Sequence, residues 1–237
     1  AGGAIGFGAG YLFCHHRRKK RRITWADRFC DRVLFTEEEI QAAISDIARR
    51  LNRDYSGPRK SPPIIIGVLS GVLMTLADLA RQLEFEHEID FIRASSYTTA
   101  TTAREVQMAT KLKFDVAGRD VIVVDELVDS ARTLSSICTT LRGKRALSVK
   151  TVCVLDKAIC HKVPFRPDYY GLSCPDEFVF GYGMDCQDRF RSLPFVAVAT
   201  EAAKKGHFDG REAQEVGERL QRMSAYRREA GLDERQG

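Results

Sequence analysis

The chain of 237 residues lacks three features that would each place it in a particular class of protein. Its seven cysteines have no paired spacing and are odd in number, which argues against a zinc site and a disulfide framework and favours a reducing compartment. Its apolar, Gly-rich stretch near the start, Ala4 to Cys14, is shorter than the about 20 residues that a membrane-spanning helix needs. Internal repeats are also missing. We therefore expect one sizeable globular core.

Acidic residues are missing before Asp27, and this end of the chain differs in composition from the rest. The basic run at 17–22 accounts for the whole net charge of +5, so the body is close to neutral and unlike a nucleic-acid-binding surface. Three interpretations of the arm stay open: a mitochondrial presequence remnant, a contact with a membrane surface, RNA or a large complex, and a simple tail. The arm favours a mitochondrion, with the cytoplasm as the alternative.

Helix and strand patterns alternate along the remaining sequence. Thr36 and Glu39 form a capping box that opens a helix lasting until Ser56, and further along a helix is predicted at 134–141. Apolar, β-branched runs predict strands at 64–69, 87–96, 121–124 and 151–155, and further strands at 169–172, 178–182 and 195–199 would form a hood or an edge. This alternation predicts an α/β fold with a central, mostly parallel sheet flanked by helices.

The chain divides into three predicted parts: an arm at 1–29, a domain at 30–205 and an extension at 206–237. The extension contains an amphipathic helix pattern from Arg211 to Arg228.

The segment from Val121 to Leu134 combines several residue types with a chemical use. A buried strand carries Asp125 and Glu126 to the carboxyl end of the sheet, where open α/β sheets bind ligands. Strand alternation turns the two carboxylates to opposite sides, so that one can accept hydrogen bonds from sugar hydroxyls, directly or through a divalent cation. The loop Asp129 to Thr133 then opens a helix with hydroxyls and free backbone N–H groups, which suits a phosphate. An ordinary strand, turn and capped helix is the competing interpretation.

This order of residues resembles the phosphoribosyl pyrophosphate signature of type I phosphoribosyltransferases. Four more motifs extend the resemblance to hypoxanthine-guanine phosphoribosyltransferases: Val68-Leu69-Ser70-Gly71, Ser96-Tyr97, Asp156-Lys157, and Phe178 to Asp185 followed by Arg191. Ser130-Ala131 is similar to trypanosomatid versions of the enzyme. The resemblance implies the type I fold with a small hood.

The resemblance also implies an activity, transfer of ribose 5-phosphate from phosphoribosyl pyrophosphate to a 6-oxopurine (hypoxanthine, guanine or xanthine) in purine salvage. Magnesium is the implied cofactor, and a homo- or hetero-oligomer the implied assembly.

Roles for individual residues follow from the same resemblance. Asp129 would be the base near purine N7, Lys157 would donate to O6, and Phe178 would stack on the purine beside Val179 and Met184. Asp185 would hold Mg²⁺, and Asp125 and Glu126 would act on it indirectly. The sugar and its phosphates would contact Asp125, Glu126, Ser130, Ala131, Arg132, Thr133, Ser70, Gly71 and Arg191. Ser96 and Tyr97 would open a lid.

Three residues depart from the family pattern. Ser70 stands where many relatives have Lys, Ala131 where many have Gly, and Cys186 replaces an aromatic residue. Ala131 would be costly if its position required a positive φ. Two other functions therefore stay open: an accessory subunit of a mitochondrial assembly, with catalysis retained or lost, and a nucleotide-sensing regulator, against which Lys157 and Phe178 argue.

Overall fold

A computed structural model describes residues 27–96, 106–108 and 112–206. Their strands are β1 (Cys30–Phe35), β2 (Ile64–Leu69), β3 (Glu88–Ser96), β4 (Val106–Met108), β5 (Asp120–Val128), β6 (Ser148–Asp156), β7 (Tyr169–Ser173), β8 (Val179–Phe180) and β9 (Val196–Ala199). Their α-helices are α1 (Glu37–Tyr55), α2 (Leu73–Ala80), α3 (Arg132–Gly143) and α4 (Glu201–Lys204), with 3-10 helices at Asp27–Phe29 and Ala158–Cys160. Within these ranges no helix combines the length and apolarity that a membrane crossing requires.

The central sheet has the strand order β4-β3-β2-β5-β6-β7. Strands β3, β2, β5, β6 and β7 are parallel, and β4 pairs antiparallel with β3 at one edge. Alternate side chains of β2 enter two cores: Ile65 packs with α1 and α2, whereas Ile64 and Ile66 pack with α3. Burial on both faces is the reason why β2 is a continuous apolar run. The predicted α/β fold is confirmed.

Strand β5 extends beyond the predicted range of 121–124. Its pairing with β2 ends at Gly67 and Val124, whereas its pairing with β6 continues to Val128. Asp125 and Glu126 therefore lie inside β5 but past the last residue of β5 that pairs with β2. The acidic pair faces the loop that leaves β2.

Helix α1 begins at the predicted capping box. The Glu39 N–H donates to the Thr36 hydroxyl at 3.2 Å, and the Thr36 N–H donates to the Glu39 carboxylate at 2.8 Å. Both bonds satisfy N–H groups that the first helical turn leaves without an intrahelical partner. The apolar face of α1 then packs on the central sheet.

A three-stranded antiparallel sheet, in the order β1-β9-β8, forms the hood. Strand β1 was not predicted, because its apolar run is only three residues long, Val33 to Phe35, and follows two charged residues. The segment 169–172 lies at the edge of the central sheet as β7, and of the segment 178–182 only Val179–Phe180 is a strand.

Other predictions fall outside the described residues or stay untested. The basic run at 17–22 and the helix pattern at 211–228 lie outside them. Phe29, the last residue of the predicted arm at 1–29, packs on Phe190 in the hood, with the ring centroids 5.3 Å apart. The domain boundaries stay predictions.

Ion pairs and hydrogen bonds join the amino ends of the central strands. Arg119, just before β5, bonds the carbonyl oxygen of Pro62 and pairs with Glu88 at 2.6 Å, so it connects three strands. Arg59 pairs with Asp120 at 2.6 Å. These contacts stabilise the end of the sheet opposite to the acidic pair.

A tyrosine–aspartate hydrogen bond fastens the end of α1 to β7. The Tyr169 hydroxyl donates to Asp54 Oδ2 at 2.9 Å. Hydrogen bonds from Arg53 and then from Tyr169 lower the pKa of Asp54. The bond therefore stabilises the fold most where Asp54 is ionised.

Substitution Thr36→Ala tests the capping box. We expect it to lower the free energy of unfolding by about 1 kcal/mol, because the first turn of α1 loses its side-chain acceptor. Urea denaturation measures the change. The control is Ser61→Ala, which removes an exposed hydroxyl in the loop between α1 and β2 and should change stability by less than about 0.5 kcal/mol. Equal effects of the two substitutions would contradict a stabilising role of the cap.

Substitution Tyr169→Phe should destabilise the protein more at pH 7 than at about pH 3. A carboxyl group with a lowered pKa contributes stability above its unfolded pKa of about 3.9, and this contribution is lost as pH falls through the folded value. Denaturation at both pH values gives the comparison. In an Asp54→Asn background the pH dependence of the substitution should disappear. Identical losses at both pH values in the native background would show that the bond does not depend on ionised Asp54.

Candidate functional site

The predicted site residues of β2, β5 and β6 meet at the carboxyl ends of these parallel strands. The loop at Ser70–Gly71 follows β2, the loop at Asp129–Ala131 follows β5, and Lys157 follows β6. Because the strands are parallel and adjacent, three loops distant in sequence lie side by side. This is where open α/β sheets bind their ligands.

The loop before α3 has the geometry of a phosphate site. Ala131 occupies the N-cap position with φ 62° and ψ −4°, and in the described part of the chain no side chain caps this helix. The N–H groups of the first turn thus lack the side-chain acceptor that α1 receives from Thr36, which leaves them available to an anion.

Ala131 adopts the positive φ that would make a side chain costly. For a residue other than glycine this conformation costs about 1–2 kcal/mol. The methyl group is 4% exposed and packs in the core cluster that contains Val128 and Leu134. Burial of the methyl group offsets part of the cost.

The acidic pair is Asp125 and Glu126, whose side chains strand alternation predicts on opposite sides. Glu126 extends to Gly71. Burial raises the pKa of Asp125 well above its usual range, and the neighbouring Glu126 carboxylate raises it further. The Glu126 N–H donates to Asp125 Oδ1 at 3.0 Å and opposes the shift. The opposite orientation of the two side chains stays a prediction.

Gly71 lies at the centre of the site. A Cβ atom at Gly71 would lie 1.8 Å from Glu126 Oε1, so the carboxylate packs directly on the glycine backbone. A Cβ atom at Gly183, which has φ +99°, would lie 2.0 Å from the Gly71 carbonyl oxygen. The segments that carry Ser70, Glu126 and Gly183 therefore approach one another more closely than any side chain would allow.

The loop before α2 has the predicted arrangement of strand, loop and helix. Ser70 is exposed, the Leu69–Ser70 peptide bond is cis, and α2 begins two residues after Gly71. The turn that contacts this loop carries Asp185 and Arg191. Arg191 pairs with Asp185 at 2.8 Å and donates to the Gly183 carbonyl oxygen at 2.9 Å. A carboxylate and a guanidinium thus stand beside Gly71.

Lys157 and Asp129 form the second half of the site. Lys157 is 5% exposed, and its Nζ lies 3.5 Å from Asp129 Oδ2, whose side chain is largely exposed. The Lys157 N–H donates to the Val128 carbonyl oxygen at 2.9 Å, which holds the two loops together. A buried ammonium beside an exposed carboxylate provides a donor and an acceptor at adjacent points.

Aromatic and backbone groups of the hood are available near β8. Phe178 is 46% exposed, which is unusual for a large aromatic side chain. The Ala199 N–H donates to the Phe178 carbonyl oxygen, so the next pair, Val179 with Val198, is a non-hydrogen-bonded pair of the antiparallel ladder. The N–H and C=O of Val179 therefore point away from β9. The side chain of Met184, in contrast, is buried in a core cluster.

The predicted lid is only partly described. Ser96 is the last residue of β3, and Tyr97 lies outside the described residues. Asp90, a buried residue of β3, accepts hydrogen bonds from the Lys113 N–H at 2.7 Å and from the Phe114 N–H, and so fastens the chain where it returns towards β5. Sequence reasoning missed Asp90, although an acid between apolar residues of a strand is a usable signal.

Tyr182 and Asp78 were also missed. The Tyr182 hydroxyl donates to Asp78 Oδ2 at 2.6 Å, and Gln41 Nε2 donates to the same oxygen at 2.7 Å. The partners are 104 residues apart. Tyr182 lies inside the motif from Phe178 to Asp185, but Asp78 belongs to no motif that the sequence offers, so the bond could not be predicted.

The residues near Gly71 fit a magnesium ion. Among the described residues no group of three or more histidine, cysteine or acidic side chains is arranged to hold a metal. Magnesium is usually held by one or two carboxylates together with waters and substrate phosphates, which matches a single carboxylate such as Asp185. In addition, Glu126 Oε2 is buried without a hydrogen-bond partner among the described residues.

Two surface cavities of about 650 and 660 Å³ lie along α1 and contain none of the predicted site residues.

Comparison with known proteins agrees with this geometry. Residues 34–187 match the family model of the phosphoribosyl transferase domain. The chain is 36% identical over 173 residues to the hypoxanthine-guanine phosphoribosyltransferase of Bacillus subtilis, which covers 73% of this chain and 94% of the relative. It is 38% identical over 168 residues to the bifunctional protein TilS/HprT of Listeria monocytogenes. That match covers 70% of this chain, which spans about a quarter (26%) of the Listeria protein.

Solved structures give the same result. A hypoxanthine phosphoribosyltransferase from Trypanosoma cruzi has a TM-score of 0.70 and 36% identity, with 74% of this chain and 98% of that chain covered. One from Staphylococcus aureus has a TM-score of 0.70 and 30% identity, with 76% and 96% covered. The trypanosomal identity equals the bacterial value of 36%, so the trypanosomatid resemblance is minor. The chain therefore belongs to the phosphoribosyl transferase family and, within it, to the hypoxanthine phosphoribosyltransferases.

Proposed function

We propose that this chain transfers ribose 5-phosphate from phosphoribosyl pyrophosphate to hypoxanthine or guanine, a reaction of purine salvage. The N9–C1′ bond forms, the bond from C1′ to the pyrophosphate oxygen breaks, and its electron pair leaves with pyrophosphate. The curated relatives named as hypoxanthine phosphoribosyltransferases support this activity. Xanthine is a further candidate, since the three bases differ only at position 2.

The observation that carries the proposal is the pair of Lys157 and Asp129, 3.5 Å apart. On a 6-oxopurine, O6 and N7 are neighbouring polar atoms on one edge of the base. The Lys157 ammonium would donate to O6, and Asp129 would accept the proton that N7 loses when N9 attacks the sugar. Adenine offers an amino group in place of O6, and an ammonium finds no acceptor there.

The hood would hold the base against this pair. Phe178 would stack on the purine face, because its half-exposed ring offers apolar area to a ligand. Val179 would meet the base edge with the N–H and C=O groups that point away from β9. Met184 is buried beneath this surface, so its contribution would be support and not a polar contact.

The loops after β5 would hold the ribose 5-phosphate. Glu126 Oε2, which has no hydrogen-bond partner among the residues that the structure describes, is a ready acceptor for a ribose hydroxyl, and the Glu126 N–H donates to Asp125. The 5-phosphate would bind the loop before α3, which consists of Ser130, Ala131, Arg132 and Thr133. Its N–H groups and hydroxyls suit a phosphate dianion. The sugar would thus be held at both ends, which leaves C1′ between base and leaving group.

The leaving pyrophosphate would lie between the Ser70–Gly71 loop and the turn with Asp185 and Arg191. Magnesium, held by Asp185 and indirectly by Asp125 and Glu126, would supply positive charge that stabilises the departing oxygens. Arg191 would contact the pyrophosphate. Ser70 adds no cation, so the loop would bind through its backbone N–H groups, and Ser96 and Tyr97 would close a lid over it.

The remaining hypotheses have less support. The reported relatives, which carry the names of enzymes, do not support the accessory-subunit hypothesis. An oligomer and a mitochondrial location stay predictions. Contacts of the arm at 17–22 and the three-part division at 1–29, 30–205 and 206–237 stay predictions too.

The first test is a spectrophotometric assay of the full chain with phosphoribosyl pyrophosphate, magnesium and each of hypoxanthine, guanine, xanthine and adenine. We expect turnover with hypoxanthine or guanine and none with adenine. Substitution Asp129→Asn should lower kcat by about 10²–10⁴-fold, because the amide keeps the shape but cannot accept the proton. Asp46→Asn, at surface ion pairs beside Arg49, is the control and should keep kcat. Full activity of Asp129→Asn would remove Asp129 from the mechanism.

Substitution Lys157→Met should lower kcat/KM for hypoxanthine by about 10–100-fold, since a charged hydrogen bond to O6 is lost. The value for adenine should not fall, so discrimination between the two bases shrinks. Lys150→Met is the matched control, because Lys150 pairs with Asp168 at 2.8 Å beside the amino end of β7. If Lys157→Met kept the preference for hypoxanthine, another group would read position 6.

A further inference from the structure

Two separate chain segments would bind the pyrophosphate group, and they touch at one point. The loop Ser70–Gly71 precedes α2, whereas Asp185 and Arg191 belong to a turn more than a hundred residues later. The contact between them is the approach of Gly183 to the Gly71 carbonyl oxygen. The backbone of one residue, Tyr182, places Gly183 against that oxygen.

The backbone of Tyr182 adopts a conformation that is unfavourable for an aromatic residue. Its φ is 47°, between Gly181 at 97° and Gly183 at 99°. A left-handed conformation at such a residue persists only where the surroundings hold it. The Tyr182 N–H donates to the Leu193 carbonyl oxygen at 2.9 Å, which fixes the backbone at one end.

The side chain of Tyr182 is fixed at the other end by α2. It is 5% exposed, and its hydroxyl donates to Asp78 Oδ2 at 2.6 Å. Gln41 of α1 donates to the same oxygen, and Arg81 pairs with the other oxygen of Asp78. Asp78 is thus held by two helices, so the phenol bonds to an acceptor that cannot turn freely.

These contacts form a closed path through the protein. From Gly71 the path follows α2 to Asp78, crosses to the Tyr182 hydroxyl, and returns through Gly183 to the Gly71 carbonyl oxygen. The helix that begins at the pyrophosphate loop is therefore fastened to the turn that carries Asp185 and Arg191. Removal of the Tyr182 hydroxyl would break this path at the hydrogen bond to Asp78.

We propose, on the basis of the function proposed above, that Tyr182 is a positioning residue for the pyrophosphate group. Its hydrogen bond to Asp78 keeps the Ser70–Gly71 loop and the Asp185–Arg191 pair at the separation that pyrophosphate needs. Lys157 lies on another segment, and Phe178 stands next to β8, whose pairing with β9 holds it independently of the Tyr182 side chain. The bond therefore sets affinity for the pyrophosphate end of the substrate and not for the base.

The phenol remains a donor at all working pH values. Burial raises the pKa of Tyr182 far above its usual value, and the hydrogen bond to Asp78 raises it further. The Tyr182–Asp78 hydrogen bond is therefore retained over this pH range.

The test compares Tyr182→Phe with Tyr169→Phe in the full chain. Both substitutions remove one buried hydroxyl that donates to an aspartate, at 2.6 Å and 2.9 Å respectively. We expect Tyr182→Phe to raise KM for phosphoribosyl pyrophosphate, and KM for pyrophosphate in the reverse reaction, by about tenfold. KM for hypoxanthine should change less than about twofold. Tyr169→Phe should lower Tm and leave every kinetic constant near the wild-type value.

A second variant guards against a failure of Tyr182→Phe to fold. Asp78→Asn keeps an oxygen that can accept from the phenol, so we expect a rise of KM for phosphoribosyl pyrophosphate in the same direction but smaller. Calorimetric titration with phosphoribosyl pyrophosphate and magnesium measures the same difference as a Kd without turnover. If Tyr182→Phe and Tyr169→Phe lower Tm alike and neither changes KM or Kd for this substrate, Tyr182 is only structural and the inference is wrong.

The outcome also separates this inference from the proposed function. A wild-type chain that turns over no base, yet binds phosphoribosyl pyrophosphate more tightly than Tyr182→Phe does, would overturn the proposed activity and keep the positioning role. Normal turnover of both proteins with equal KM values would keep the activity and overturn the positioning role.

Discussion

The absence of side chains at Gly71 and Gly183 is the constraint on which the site depends. A Cβ atom at Gly71 would meet the Glu126 carboxylate, which would have to move away from the glycine. A Cβ atom at Gly183 would meet the Gly71 carbonyl oxygen, a backbone atom that cannot turn aside as a side chain can. The acidic pair, the pyrophosphate loop and the Asp185 turn are close neighbours because both positions are glycine.

The groups that would bind the substrate lie at one end of the central sheet, and the contacts that stabilise the sheet lie at the other. The carboxyl ends of the parallel strands carry a strained and incompletely bonded set of groups: Ala131 at positive φ, buried Lys157, and a Glu126 oxygen that no described residue bonds. The amino ends carry well-paired contacts, such as Arg119 across three strands and Arg59 with Asp120. Strain at a binding site persists where the rest of the fold supports it. A parallel sheet separates the two tasks by about the length of a strand.

The features that could be predicted are those that one contiguous segment of the sequence encodes. The buried strand, acidic pair and hydroxyl loop from 121 to 134 are contiguous, so their order along the chain is also their order in space. Lys157 and Phe178 were placed through family resemblance, since neither position carries a local pattern. Strand β1 and the Tyr182–Asp78 bond were missed because each depends on a partner over 100 residues away. The approach of Glu126 to Gly71 depends on where β2 stops pairing with β5, which no single segment reveals.

Helix α3 begins without a side-chain cap in the described structure, whereas α1 and α4 begin at Thr36 and Thr200, whose hydroxyls accept from their first turns. In the proposed complex, the 5-phosphate of the substrate completes this first turn in place of a protein side chain. The ligand is then part of the secondary structure that binds it, and folding and occupancy are thermodynamically linked. For such a helix, the intracellular concentration of a metabolite contributes to how long the folded chain survives against proteolysis.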